Sequence, residues 1–193
     1  MAFLAAGAVC FSTMNSATFE ALYSAFSRMQ VLNTWEAILN APVALDDLLL
    51  GELAWAASKA ALSGAAILAV AAALGLVASP LALWTLPLVF LAGLTFAALG
   101  LVMTALAPSY DFFMYYFTLF VTPMTLLSGV FFPVEQLPAA FQALSAVLPL
   151  SHAVKLARPL FLGEVPTQAG LHVAVLAGYA VAAFWLALGL ARR

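Results

Sequence analysis

The chain has 193 residues, 66% of them hydrophobic and 7% charged. A soluble domain carries roughly 45–50% apolar and about 25% charged residues, so this chain cannot cover itself with a water-compatible surface. The net charge of −2 comes without a Lys/Arg cluster, which excludes a nucleic-acid-binding face, and the single cysteine, Cys10, excludes an intrachain disulfide or a cysteine metal cage.

A membrane span needs roughly 20 predominantly apolar residues. The first candidate, residues 2–19, is short and carries Ser12, Thr13, Asn15 and Ser16, which argue for a face packed on other helices. It lacks the basic n-region and the small-residue cleavage site of a signal peptide.

Residues 20–59 form a polar loop holding half of the chain's charged residues: Glu20, Arg28, Glu36, Asp46, Asp47, Glu52 and Lys59. Phe19, Leu22, Tyr23 and Phe26 recur at helical spacing, which extends the first helix past its apolar run. Asn33 and Glu36 have the spacing of a capping box, predicting a short helix that Pro42 ends. Asp46 and Asp47 suit the N-terminus of a following helix, where the dipole favours negative charge. As an acid/base pair they fail, because adjacent helical residues point about 100° apart. Such a compact loop is either a docking surface or a plain solvated turn.

Three further runs without Asp, Glu, Lys or Arg follow at 60–77, 84–107 and 112–132, joined by short hairpins at 78–83 and 108–111. Pro87 and Pro123 can kink their helices. The pairs Gly93/Ala97 and Gly100/Thr104 permit close helix contact but are a weak signal for dimerisation. Asp111 reads as a turn and helix cap rather than a proton relay.

The third of these runs ends in Gly129, Phe131, Phe132 and Pro133, with Pro138 beyond. Helix breakers at membrane depth imply backbone buried in protein or lining a cavity. Leu137, Phe141, Leu144 and Leu148 then form an apolar stripe too short to cross, which predicts a re-entrant or interfacial helix within 133–170. His152, Lys155 and Arg158 recur every three residues on one helix face. They are either a basic ledge for an anionic or sugar headgroup or, as the preferred reading, cations reaching lipid phosphate or pairing with Glu135 or Glu164. His152 and His172 are the only histidines, too few for a metal site. The last span is 171–191.

The expected fold is therefore an all-α integral membrane protein of one permease domain, with about five spans. Arg28, Lys59, Arg192 and Arg193 fall on one side and Lys155 and Arg158 on the other. The larger group belongs in the cytoplasm, which makes 20–59 and the C-terminus cytoplasmic and 133–170 periplasmic or extracellular. Met1 then begins outside without a basic flank, which predicts a further cytoplasmic segment and span ahead of it.

The chain has no phosphate loop of the G-x-x-x-x-G-K-[S/T] type, no G-x-S-x-G elbow and no H-E-x-x-H. No ionisable group lies at mid-membrane, where ion-coupled transporters place them. An enzyme is not expected, and neither is a cofactor.

Several runs resemble the type-2 ABC exporter permeases, and within them the nodulation protein J group of lipo-oligosaccharide exporters. They are Ser27-Arg28-Met29, Thr34-Trp35-Glu36-Ala37-Ile38-Leu39, Pro42, Gly51-Glu52-Leu53-Ala54-Trp55, Tyr110-Asp111-Phe112-Phe113, Thr122-Pro123-Met124, residues 128–133 and Leu148-Pro149-Leu150-Ser151-His152. The resemblance implies a bacterial inner-membrane permease of six spans, one of them lacking here, that forms a homodimer and pairs with two copies of a separate ATPase subunit. It implies that residues 34–40 are the coupling helix, with Arg28, Thr34, Glu36 and Glu52 making or orienting the docking contacts. The segment Gly129, Phe131, Phe132 and Pro133 would cover the outer exit. The cargo would be a lipid-linked or amphipathic oligosaccharide or a hydrophobic small molecule. Two other readings stay open: an ATP-independent secondary transporter or channel, and a membrane-embedded scaffold or enzyme for lipid-linked sugars with His152, Lys155 and Arg158 at the headgroup.

Overall fold

The computed structural model describes residues 1–192; Arg193, counted above among the loop-side cations, lies outside them. The described residues are helical with no strand. Helix α1 spans Ala2–Val31, α2 Thr34–Leu39 and α3 Leu45–Ala73. A 3-10 turn, Pro80–Trp84, leads into α4, Thr85–Leu106. Then come α5, Asp111–Leu127, α6, Ala139–Ser145, α7, Pro149–Leu162, and α8, Ala169–Ala191.

Helices α1, α3, α4 (with its 3-10 turn) and α8 are long and apolar enough to cross a membrane. Helix α5 is shorter, at the lower limit of roughly 17 residues for a span. It stops at Leu127, short of the expected end at 132, because Gly129 takes the left-handed φ of +77° and turns the chain back. Helices α6 and α7 have enough apolar length only together, and they meet at an 86° bend. A pair bent that sharply is either a broken span or a re-entrant segment.

Helix α4 is the centre of the bundle and packs on α8, α3, α1 and α7. Lipid tails are as apolar as leucine, so helices associate in a membrane mainly by close packing and interhelical hydrogen bonds. Both devices are present. A Cβ added at Gly100 would lie 2.6 Å from Ala21 Cβ, and one at Gly93 would lie 3.1 Å from Ala57 Cα. The small-residue pairs of α4 thus serve contacts within this chain. The Thr104 hydroxyl donates to the Ala21 carbonyl at 2.6 Å and the Thr95 hydroxyl to the Leu176 carbonyl at 3.0 Å. Ala21 lies in a π turn, Glu20–Ser24.

The predicted capping box does not form. Asn33 precedes α2 in the left-handed conformation, φ 50°, and its side chain makes no cap hydrogen bond. Asparagine tolerates this geometry better than most residues, so its contribution is the reversal of the backbone between α1 and α2.

Candidate functional site

The first candidate site lies at the end of the bundle that carries α2. Helices α1 and α3 run side by side there, and their charged residues interlock. The guanidinium of Arg28 grips Glu52 through two hydrogen bonds, Nε to Oε1 at 2.8 Å and Nη2 to Oε2 at 2.5 Å. The same Nη2 reaches Glu20 Oε1 at 3.1 Å. Glu20 also accepts from Lys59 Nζ at 2.5 Å, from the Trp55 indole at 3.0 Å and from the Ser24 hydroxyl at 3.0 Å. Its side chain is only 4% exposed. A buried carboxylate is tolerable because two cations and two neutral donors replace its lost hydration.

Helix α2 is seated on this network by a single side chain. Trp35 is buried, and its indole donates to Glu52 Oε1 at 2.9 Å. Thr34 is half-buried, while Glu36, Ile38, Leu39 and Asn40 face outward. Beside them lies an open cleft of about 580 Å³ bordered by Ile38, Val43, Asp47, Gly51 and Trp55. Of the four residues expected to form a docking contact, Arg28 and Glu52 are committed to each other, and Glu36 is the one charge α2 presents outward. Asp46, in the first turn of α3, pairs with Arg192 at 2.8 Å across the surface.

The Tyr110-Asp111-Phe112-Phe113 run acquires a role at this end. Tyr110 and Phe113 pack edge-on against Phe26 at 4.9 and 5.3 Å, and Phe113 packs against Tyr23 at 5.3 Å. These rings dock the start of α5 on the loop-proximal half of α1.

At the other end, residues 128–133 fold back over the start of α1. Val130 is buried, and its carbonyl lies so close to Gly7 that a Cβ there would collide with it. The rings of Phe131 and Phe11 sit 6.0 Å apart. Arg158, from α7, donates to the Gly129 carbonyl and lays its guanidinium 3.5 Å above the Phe3 ring.

The basic ledge is not assembled. Arg158 turns inward to Gly129, and His152 is buried against His172, with their Nδ1 atoms 2.7 Å apart. Only Lys155 of the three is exposed. Residues three apart share a face of α7, but α8 covers it at His152 and the folded-back segment meets it at Arg158. Neither Glu135 nor Glu164 forms an ion pair with these cations among the described residues. No cluster of three or more His, Cys, Asp or Glu suited to a metal occurs among them either.

Glu20, Lys59 and Trp55 were counted in the sequence but not singled out as a unit. A signal was there: an acid ends the first apolar run and a lysine precedes the next, at matching depth in two neighbouring helices.

Several apolar spans, a short anchored helix at one end and a folded-back segment at the other define a multi-pass membrane permease. The chain matches the ABC-2 type transporter family over residues 2–162 and belongs to that family. It is 50% identical over 193 residues to nodulation protein J of Rhizobium meliloti (strain 1021), covering all of this chain and 74% of the relative. It is 53% identical over 192 residues to nodulation protein J of Rhizobium leguminosarum bv. trifolii, covering 73% of it. With the Bradyrhizobium diazoefficiens protein of that name the identity is 49% over 193 residues. The chain is thus an ABC-2 membrane subunit of the nodulation protein J type.

Proposed function

We propose that the chain exports a lipid-linked or amphipathic oligosaccharide across a bacterial inner membrane, using ATP hydrolysed by a separate subunit. In this reading two copies of the permease form a homodimer with two ATPase subunits. The α2 end and the C-terminus are cytoplasmic. The ATPase seats on Glu36, Ile38 and Leu39 of α2, and Thr34 and Trp35 fix the orientation of that helix. Closure of the ATPase dimer pushes α2, and Glu52, Arg28 and Glu20 pass the displacement to α1 and α3. Gly129, Phe131, Phe132 and Pro133 cover the exit at the far end.

The observation that carries this reading is the way α2 is held. It is anchored at Trp35 to a charge network joining two long helices, while Glu36, Ile38 and Leu39 stay exposed. Charges used only to keep a loop soluble need no such connection. The family membership supports a partner ATPase, and the resemblance to the nodulation protein J group supports the cargo class.

Affinity purification of the chain from native membranes tests the proposal, with Glu36→Lys and Ile38→Asp compared with the unaltered protein. Recovery of an ATP-binding subunit that both substitutions abolish, at unchanged permease level, is expected. Equal recovery with all three proteins overturns the docking assignment.

A further inference from the structure

The two histidines form a unit that the transport reading does not use. His152 on α7 and His172 on α8 are both buried, and their rings meet through Nδ1 atoms 2.7 Å apart. The other nitrogen of His152, Nε2, is 3.0 Å from the Ala146 carbonyl. A carbonyl only accepts, so His152 Nε2 carries a proton. In the neutral pair, His152 Nδ1 is then a bare acceptor, and His172 Nδ1 supplies the proton between the rings.

Proton positions can be counted from there. Of the four ring nitrogens, one is protonated toward Ala146 and two share a single proton. A first proton from solvent goes to His172 Nε2, and the bridge survives as a charge-assisted hydrogen bond. A second proton has only the bridge to occupy. Two N–H groups would then point at each other over 2.7 Å, and two imidazolium charges would lie side by side.

The group whose charge acts on both rings is Lys155, on α7, and it is of the same sign. No Asp or Glu is in ion-pair contact with either ring among the described residues. From α8, the nearby titratable group is Tyr179, whose hydroxyl donates to the Val147 carbonyl at 2.9 Å. A doubly charged pair therefore has no counter-ion and has to separate.

We infer that His152 and His172 form a one-proton clamp that ties α7 to α8 and holds the α6–α7 corner, and that uptake of a second proton opens it. Few side-chain hydrogen bonds hold the corner. Besides His152 on Ala146, they are Ser145 to Ser151 at 3.0 Å and Tyr179 to Val147. Opening loosens α7 against α8, and the same helix carries Arg158, which holds the Gly129 carbonyl. The clamp is independent of cargo and of any ATPase.

With only these two histidines in the chain, nitrogen-15 labelling of histidine reads the clamp directly in the full chain in lipid nanodiscs. At neutral pH one ring is expected protonated on Nε2 and the other on Nδ1. On acidification the pair should titrate in two steps separated by more than about one pH unit, with Tm falling below about pH 6.5, where the unfolded histidines charge, and levelling off once the second step is complete. A His172→Phe chain should show one step and lose that acid-specific drop. Two rings titrating together as free imidazoles near about pH 6.5, or a Tm unchanged between that pH and the second step, would overturn the inference. The labelled natural chain decides it even where the variant fails to fold.

Discussion

Arg28 and Glu52, 24 positions apart, meet in a two-pronged ion pair that also receives the indole of Trp35. One carboxylate thereby sets the positions of α1, α2 and α3 together. Removing Glu52 as Glu52→Ala leaves the Trp35 indole without its acceptor and Arg28 with Glu20 alone. Losing one partner of such a poorly exposed pair costs about 3–5 kcal/mol. A marked fall in Tm in detergent is expected, with loss of ATPase recovery. Arg28→Lys keeps the charge but cannot form both prongs, so its effect should be intermediate.

Glu20 and Lys59 share an ion pair but should not respond equally. The Glu20 side chain is 4% exposed and serves four donors, whereas Lys59 is 47% exposed. Lys59→Ala should cost no more than about 1 kcal/mol, as for exposed pairs. Glu20→Ala leaves Arg28 without one partner and the Trp55 indole without its acceptor, and should cost several times more. Equal Tm shifts for the two would contradict the buried hub.

Glycines in the bundle should divide sharply under substitution by alanine. Gly100→Ala forces a Cβ against Ala21 at 2.6 Å, and overpacking of this kind costs about 1–3 kcal/mol. At Gly178 and Gly189 of α8 nothing lies within 4 Å, so alanine there should be neutral or gain up to about 1 kcal/mol of helix stability. Thermal unfolding of the three variants checks the ranking.

The folded-back segment should be sensitive through its backbone. Gly129→Ala places a side chain at φ +77° and 2.7 Å from Val134 Cγ2, and Arg158→Met removes the donor to the Gly129 carbonyl. Both should reduce ATP-driven cargo uptake into inverted vesicles while ATPase subunit recovery is unchanged. Loss of recovery in parallel would show that they disturb the whole bundle instead.

The surface pair of Asp46 with Arg192 sits at the opposite extreme, with both side chains about half exposed. Asp46→Asn should shift stability by at most about 1 kcal/mol, and that shift should vanish in high salt, where exposed charges are screened.

Hydropathy and helix breakers act along the chain, and what depends on them could be read from it. The apolar runs became helices because a backbone in lipid satisfies its hydrogen bonds only within itself, and Gly129 ended α5 because glycine alone adopts its φ freely. Gly93 and Gly100 marked close approach, though only the fold showed that Ala57 and Ala21 are the neighbours. Pairing across the bundle depends on helix phase and separation, which no local pattern contains. That Arg28 and Glu52 pair with each other, 24 positions apart, could not be read from their spacing. The rotation of α7 against α8 divided His152, Lys155 and Arg158, equivalent on a helical wheel, among a buried imidazole pair, an exposed ammonium and a guanidinium bound to backbone. The sequence by itself determined a helical membrane protein and its family. The tertiary structure decided which of its few polar groups neutralise one another, because in a medium without water each must find a partner, and only packing determines which partners are near.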